Sequence, residues 1–168
     1  ATVLVYNDVV NTIDNWRLVQ TAQLDPAARA AQMPDSIVEQ TLEYIIAHEV
    51  GHTLGFMHNM AASAAIPTDS LRSPTFTRKH GTTASIMDYA RFNYVVQPGD
   101  KGVSFDPPTV GTYDKYVIEW TYKYFPDTKG DLIEESKRVS ALIDKHAHDP
   151  EYRYGVQQMG DRRYDPSA

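Results

Sequence analysis

The sequence predicts an α+β fold that is mostly helical in the part it covers, with one edge strand ahead of a long helix. Three observations carry that prediction. The run Val3-Leu4-Val5-Tyr6, followed by Val9 and Val10, is β-branched, aromatic or aliphatic, a composition that favours a strand. From Ile37 to about Leu54, Val38, Leu42, Ile45 and Ile46 supply one apolar face at helical spacing. Between 112 and 125, Tyr113, Tyr116, Val117, Trp120 and Tyr124 recur with the same period, so this stretch reads as an amphipathic helix whose aromatic stripe belongs to a core.

Taken in order, Ala1 to Val10 is the expected strand. Residues 11–33 are mixed, with Trp16, Leu18 and Val19 apolar and a short helix expected around Asp25-Pro26-Ala27-Ala28-Arg29. Pro34 and Asp35 lead into Ser36-Ile37-Val38-Glu39, an S-x-x-E pattern that reads as a capping box and starts the long helix. Residues 59–84 are long for a connection and are expected to wall a cleft. Residues 90–111 are turn-rich, with Pro98-Gly99 and Pro107-Pro108 as breakers. After the aromatic helix, a further helix is expected from Asp131 to Lys145, burying Leu132, Val139, Leu142 and Ile143. The tail after Asp149 is polar, weakly periodic and reads as a cut edge.

The end of the long helix and the turn after it carry His48-Glu49-Val50-Gly51-His52-Thr53-Leu54-Gly55-Phe56-Met57-His58, an H-E-x-x-H-x-x-G-x-x-H pattern. At about 3.6 residues per turn, His48 and His52 share a face one turn apart and can reach one metal ion. Gly55 ends the helix, because a residue without Cβ enters the left-handed conformation cheaply, and the turn brings His58 back as a third ligand. With 6 His, 7 Glu and 9 Gly in 168 residues, the five fixed positions would coincide by chance on the order of 10⁻⁵ times per chain, which favours a functional reading. Three neutral imidazoles suit Zn²⁺, with a fourth position left to water. Glu49 stands beside the ligands and not between them, as a general base for that water would.

Ser85-Ile86-Met87-Asp88-Tyr89 follows the third histidine after a stretch rich in Ala, Ser, Thr and Pro. Here the chain resembles the metzincin clan of zinc metallopeptidases, in which a tight turn carries a methionine beneath the metal. Met87 matches that methionine, and Tyr89 matches a tyrosine that some of these families place two residues later. The run from Tyr44 through Val96 is similar to the catalytic domain of large, secreted, multidomain bacterial zinc-dependent metallopeptidases. The resemblance implies one catalytic zinc on His48, His52 and His58, with Glu49 as base. It further implies that Tyr89 stabilises the developing oxyanion, although an aromatic packed under the turn is the alternative. Met87 would give the site an apolar floor, and Asp88 would either orient an imidazole or cap the turn.

By the same resemblance the substrate is a protein or peptide bound in extended form along the edge strand at Val3–Tyr6, and the location is secreted or periplasmic. Such modules carry several strands before the zinc helix, so the single strand here makes the expected α+β domain an incomplete one. One catalytic module is expected over 1–168, with edge strand and zinc helix in 1–58 and loop, methionine turn and C-terminal helices in 59–168.

Composition narrows the field. A net charge of −6 without a basic cluster argues against nucleic acid as a main partner. No apolar run approaches the ~20 residues that span a bilayer. The absence of cysteine removes disulfides and thiolate ligands. His80, His146 and His148 lack a ligand spacing and are assigned to the surface. Asp100, Asp106 and Asp114 match no calcium loop and read as solvated turn residues, so calcium is possible but not indicated. Oligomeric state is not legible. Two other readings stand beside the endopeptidase: an inactive zinc-containing binding or scaffold module, and a zinc hydrolase acting on an amide outside proteins.

Overall fold

The computed structural model describes residues 2–6, 8–106 and 109–161. Among these the chain is helical and contains no strand, which corrects the expected α+β class. Residues 2–6 take no regular structure, and Leu4, Val5 and Tyr6 are exposed. A strand is stable only when its backbone groups are paired and one face is covered, and no second strand is present among the described residues to do either. With the strand goes the proposed backbone pairing of substrate along Val3–Tyr6. Val9 and Val10 lie instead in the first helix, α1 (Asp8–Thr21).

That helix was invisible to a hydropathy reading because its buried face is partly polar. Ile13, Arg17 and Thr21 are its buried residues, spaced i, i+4, i+8. Arg17 is paired with Asp25 through a 2.7 Å contact between Nε and Oδ2, and Thr21 Oγ1 donates to the Arg17 carbonyl at 2.8 Å. A buried charge persists only with such partners. The expected short helix near 25–29 is one 3₁₀ turn, Ala27–Arg29.

The long helix, α2, runs Asp35–Thr53, close to the expected span. Its start differs from the capping box. Pro34 is the N-cap and no side chain caps it, so Ser36 lies inside the first turn. A residue with helical dihedrals cannot fold its hydroxyl back as an N-cap does. Asp35 in the first turn suits the positive end of the helix dipole. Val38, Leu42 and Ile45 pack against a cluster of Ile13, Met33, Ile37 and Phe92, whereas Ile46 is exposed.

Residues 59–84 are not a bare loop. They hold a 3₁₀ turn at Ser63–Ala65 and two short helices, α3 (Thr68–Leu71) and α4 (Pro74–His80). Ser73 caps α4 by accepting from Phe76 N, and Pro74 sits where its missing N–H is harmless. Residues 90–106 form turns, as expected; the breaker Pro107-Pro108 lies outside the described residues.

The aromatic helix, α5 (Thr112–Tyr122), buries Tyr113, Asp114 and Val117. Its stripe joins Ala62 and Ala84, with Phe56, Tyr116 and Trp120 packed around them, but Tyr124 falls beyond the helix and is exposed. The last helix, α6 (Leu132–Asp144), is capped by Asp131. None of its residues is buried: Leu132 and Ile143 are exposed, and Val139 and Leu142 only half-covered. Its amphipathic pattern is real, yet among the described residues α6 packs mainly on α5 and the turn Pro126–Thr128, which leaves the stripe uncovered. After α6 the chain makes a turn at Pro150–Tyr152 that packs on α5, then runs back to the segment following the third histidine.

Candidate metal centre

The site forms where α2 ends. Leu54 is the C-cap, Gly55 adopts φ +87°, the Phe56 amide donates to the Gly51 carbonyl at 3.1 Å, and the Gly55 amide donates to His52 O at 3.0 Å. These two bonds with a left-handed glycine make a Schellman termination, and the reversal delivers His58 to the face carrying His48 and His52. One nitrogen from each of the three rings lies within 4.8 Å of the others, and His52 Nε2 stands 3.0 Å from His58 Nε2.

Two of the rings are pinned at the opposite nitrogen. His48 Nδ1 lies 2.6 Å from the Ile86 carbonyl and His52 Nδ1 lies 2.8 Å from the Phe56 carbonyl. A carbonyl oxygen only accepts, so both Nδ1 atoms carry a proton, and in the neutral tautomer this selects the lone pair is on Nε2. Burial, with the neighbouring His48 and His52, holds His58 below the ordinary imidazole range, which also favours the neutral form. Converging neutral imidazoles without thiolate or bound carboxylate are the donor set that zinc accepts in hydrolytic sites, so the residues fit the ion.

The floor is Met87, 1 % exposed, on a turn held by several bonds. A Cβ added at Gly51 would collide with Met87 Sδ, so the glycine in the zinc motif is what lets the thioether lie directly under α2. Tyr44 Oη donates to Asp88 O at 2.8 Å and ties the turn to the helix one turn before His48. Burial pushes the Tyr44 phenol well above its ordinary value. Asp88 accepts from the Ser63 amide at 2.6 Å and the Tyr89 amide at 2.7 Å; its carboxylate makes no hydrogen bond to an imidazole, so of its two expected roles the geometry supports capping the turn. Burial raises its carboxyl above the usual range, partly offset by those amides.

Tyr89 is 43 % exposed, its ring 4.5 Å from that of His58, centre to centre, and its hydroxyl 3.5 Å from His58 Nδ1, at the outer edge of hydrogen-bond range. Glu49 is exposed on α2 beside His48 and close enough to influence His58 electrostatically. A cavity of about 960 Å³ borders Asp88 and Tyr89 and is lined also by Arg91, Phe92, Tyr94 and Gln20.

The remaining expected surface or calcium residues separate. His80 stacks on Phe76 and His148 is exposed, but His146 is half-buried, stacked on Tyr152 with ring centres 3.9 Å apart. Asp100 is held by Arg72, and Asp106 accepts from Ser104. Asp114 is buried, not solvated, and accepts from Ser85 Oγ, Ile86 N and Gly111 N.

Sequence reasoning missed Asn59. It is fully buried beside His58, its amide donates to Met87 O at 2.9 Å, and its side chain binds Arg153 O and Gly155 N of the returning tail at 3.0 Å each. No local pattern marks such a hub, because its partners lie 94 and 96 residues away.

Compared with known proteins, the chain matches a family model described as Met-zincin over residues 30–168, which contain the three histidines, Glu49 and the methionine turn. Neither the curated proteins nor the solved structures yield a match. A match over that much of the sequence, centred on a helix, a glycine turn and a methionine floor that bring three imidazoles together, places the chain in the Met-zincin family.

Proposed function

We propose that this protein is a zinc-dependent endopeptidase that hydrolyses peptide bonds with Glu49 as general base. The observation that carries this reading is the convergence of three imidazole nitrogens, two of them on rings whose tautomers are set by carbonyls, with an exposed carboxylate alongside. When bound at His48, His52 and His58, zinc would supply Lewis acidity and acidify water towards neutral pH. Glu49, adjacent to His48 on the exposed side of α2, would accept the proton from the attacking water and return it to the leaving amine. Tyr89, beside His58 and half-exposed, would turn its hydroxyl towards the substrate oxygen as charge develops there. Side chains flanking the scissile bond would find room in the cavity beside Tyr89.

The test is mass-spectrometric profiling of a diverse peptide mixture by zinc-loaded protein and by zinc-loaded Glu49→Ala. Cleavage at internal bonds by the first and not the second, at equal zinc content, is the expected result. A folded, zinc-loaded wild type that cuts no peptide would instead favour a binding module, and cleavage surviving in Glu49→Ala would remove Glu49 as base.

A further inference from the structure

His48 does not end its hydrogen bonding at the Ile86 carbonyl. The peptide group that owns that carbonyl also owns the Met87 amide, which donates to Ser85 Oγ at 3.0 Å. Ser85 Oγ in turn donates to Asp114 Oδ1 at 2.6 Å. We propose that Asp114 and Ser85 are positioning residues for the metal site, holding and polarising His48 through one continuous chain: imidazole N–H to carbonyl, amide N–H to hydroxyl, hydroxyl to carboxylate.

Every link has the right polarity. The hydroxyl uses its single proton towards the carboxylate and its lone pair towards the amide, and the carbonyl can only accept. Electron density therefore shifts the same way along all three bonds, from Asp114 towards the ring, and aligned bonds strengthen one another in a low dielectric. The dielectric is low here: Ser85 is 0 % exposed, Met87 1 %, Asp114 5 % and His48 7 %. No ion pair absorbs the Asp114 charge among the described residues. Its other oxygen is fixed by Ile86 N at 2.9 Å and Gly111 N at 2.7 Å, so the carboxylate cannot swing away. Gly111 makes the approach possible, since a Cβ there would run into the Ala84 carbonyl and hold α5 off the turn.

The arrangement does at a distance what a carboxylate bonded directly to a ligating histidine does: it fixes the tautomer and raises the basicity of the metal-facing nitrogen. His52 offers an internal contrast. Its Nδ1 contact to the Phe56 carbonyl is longer, 2.8 Å against 2.6 Å, and among the described residues no hydrogen bond continues from the Met57 amide.

The proposal rests on the metal-binding part of the proposed function, and the test separates the two. Zinc affinity would be measured by chelator competition, and the Nδ1–H resonances of His48 and His52 by NMR on protein with ¹⁵N-labelled imidazoles, for wild type, Ser85→Ala, Asp114→Asn and a control, Val117→Ala. The control trims the α5 core without touching the chain of bonds. The expected outcome is a loss of about tenfold in zinc affinity for Ser85→Ala and Asp114→Asn, with an upfield shift confined to His48, and neither effect in Val117→Ala. In wild type His48 should resonate downfield of His52, a comparison that holds even if both variants fail to fold. Unchanged affinity and His48 resonance in a folded Ser85→Ala, equal changes in Val117→Ala, or a wild-type His48 signal at or upfield of His52 would each overturn the proposal. A wild type that binds no zinc would sink the metal reading, while the resonances still report on the chain.

Discussion

Each candidate ligand is held by a different device: His48 by a carbonyl of the methionine turn, His52 by the carbonyl of Phe56, the residue whose amide closes its own helix, and His58 by the rings around it and the Asn59 anchor that follows. Because Tyr89 Oη touches His58 only at 3.5 Å, it contributes little to holding the ring. Tyr89→Phe should therefore leave zinc affinity within about twofold while lowering kcat roughly tenfold or more, if the hydroxyl serves the transition state. An unaltered kcat in a zinc-loaded variant would reduce Tyr89 to packing. Acid sensitivity also belongs at this scale. His58 is held below the ordinary imidazole value by burial and by its neighbours, so between its folded and unfolded pKa the unfolded chain binds the extra proton. Its contribution to stability is present above the unfolded value near 6.5 and is lost as pH falls through the folded one. Asp88, raised by burial, acts in the opposite sense, its contribution present in acid and lost as pH rises through its folded pKa. Zinc retention should accordingly fall as pH is lowered below about 6.5; titration of bound zinc that showed no loss down to pH 4 would contradict neutral imidazole ligation.

At the scale of elements, two glycines do different work. Gly55 has open space around its Cα and a φ of +87°, so Gly55→Ala meets only a conformational penalty of about 1 kcal/mol. Gly111 has an ordinary φ of −89°, but an added Cβ would strike the backbone of Ala84, which cannot rotate aside. Gly111→Ala should cost more, about 2–4 kcal/mol, because α5 must withdraw and loosen three bonds to Asp114. Denaturant melts of the two variants would check the order, and a Gly111→Ala variant no less stable than Gly55→Ala would refute the close approach. α6 stands at the other extreme: with no buried residue, its amides should exchange with solvent faster than those of α2.

Across the whole molecule the metal site lies where separate parts of the chain meet. The first half of α2 packs on the cluster of Ile13 and Phe92, while Phe56, just past the helix, packs on that of Tyr113 and Val117. A ligand that binds only the folded arrangement stabilises it by mass action, about 2.7 kcal/mol at free zinc a hundredfold above Kd. Thermal melts should therefore move up by roughly 5–10 °C on adding zinc and return on chelation. Coincident melts with and without zinc would mean that the three imidazoles do not form a site.

By itself the sequence determined which residues converge in the candidate metal site, because the positions of His48, His52, Gly55 and His58 are set by helix period and by the freedom of one glycine, both local properties. It also determined α2, α5 and α6 within one to three residues, since each carries an apolar period. Only the tertiary structure decided the rest. The strand at Val3–Tyr6 does not form, because strand stability resides in a partner that the described residues do not provide. The first helix hid behind Arg17, whose burial is intelligible only once Asp25 is beside it. Asn59, Ser85 and Asp114 owe their roles to carbonyls and amides brought close by folding, and no spacing along a chain announces a hydrogen bond made 29 or 94 residues away.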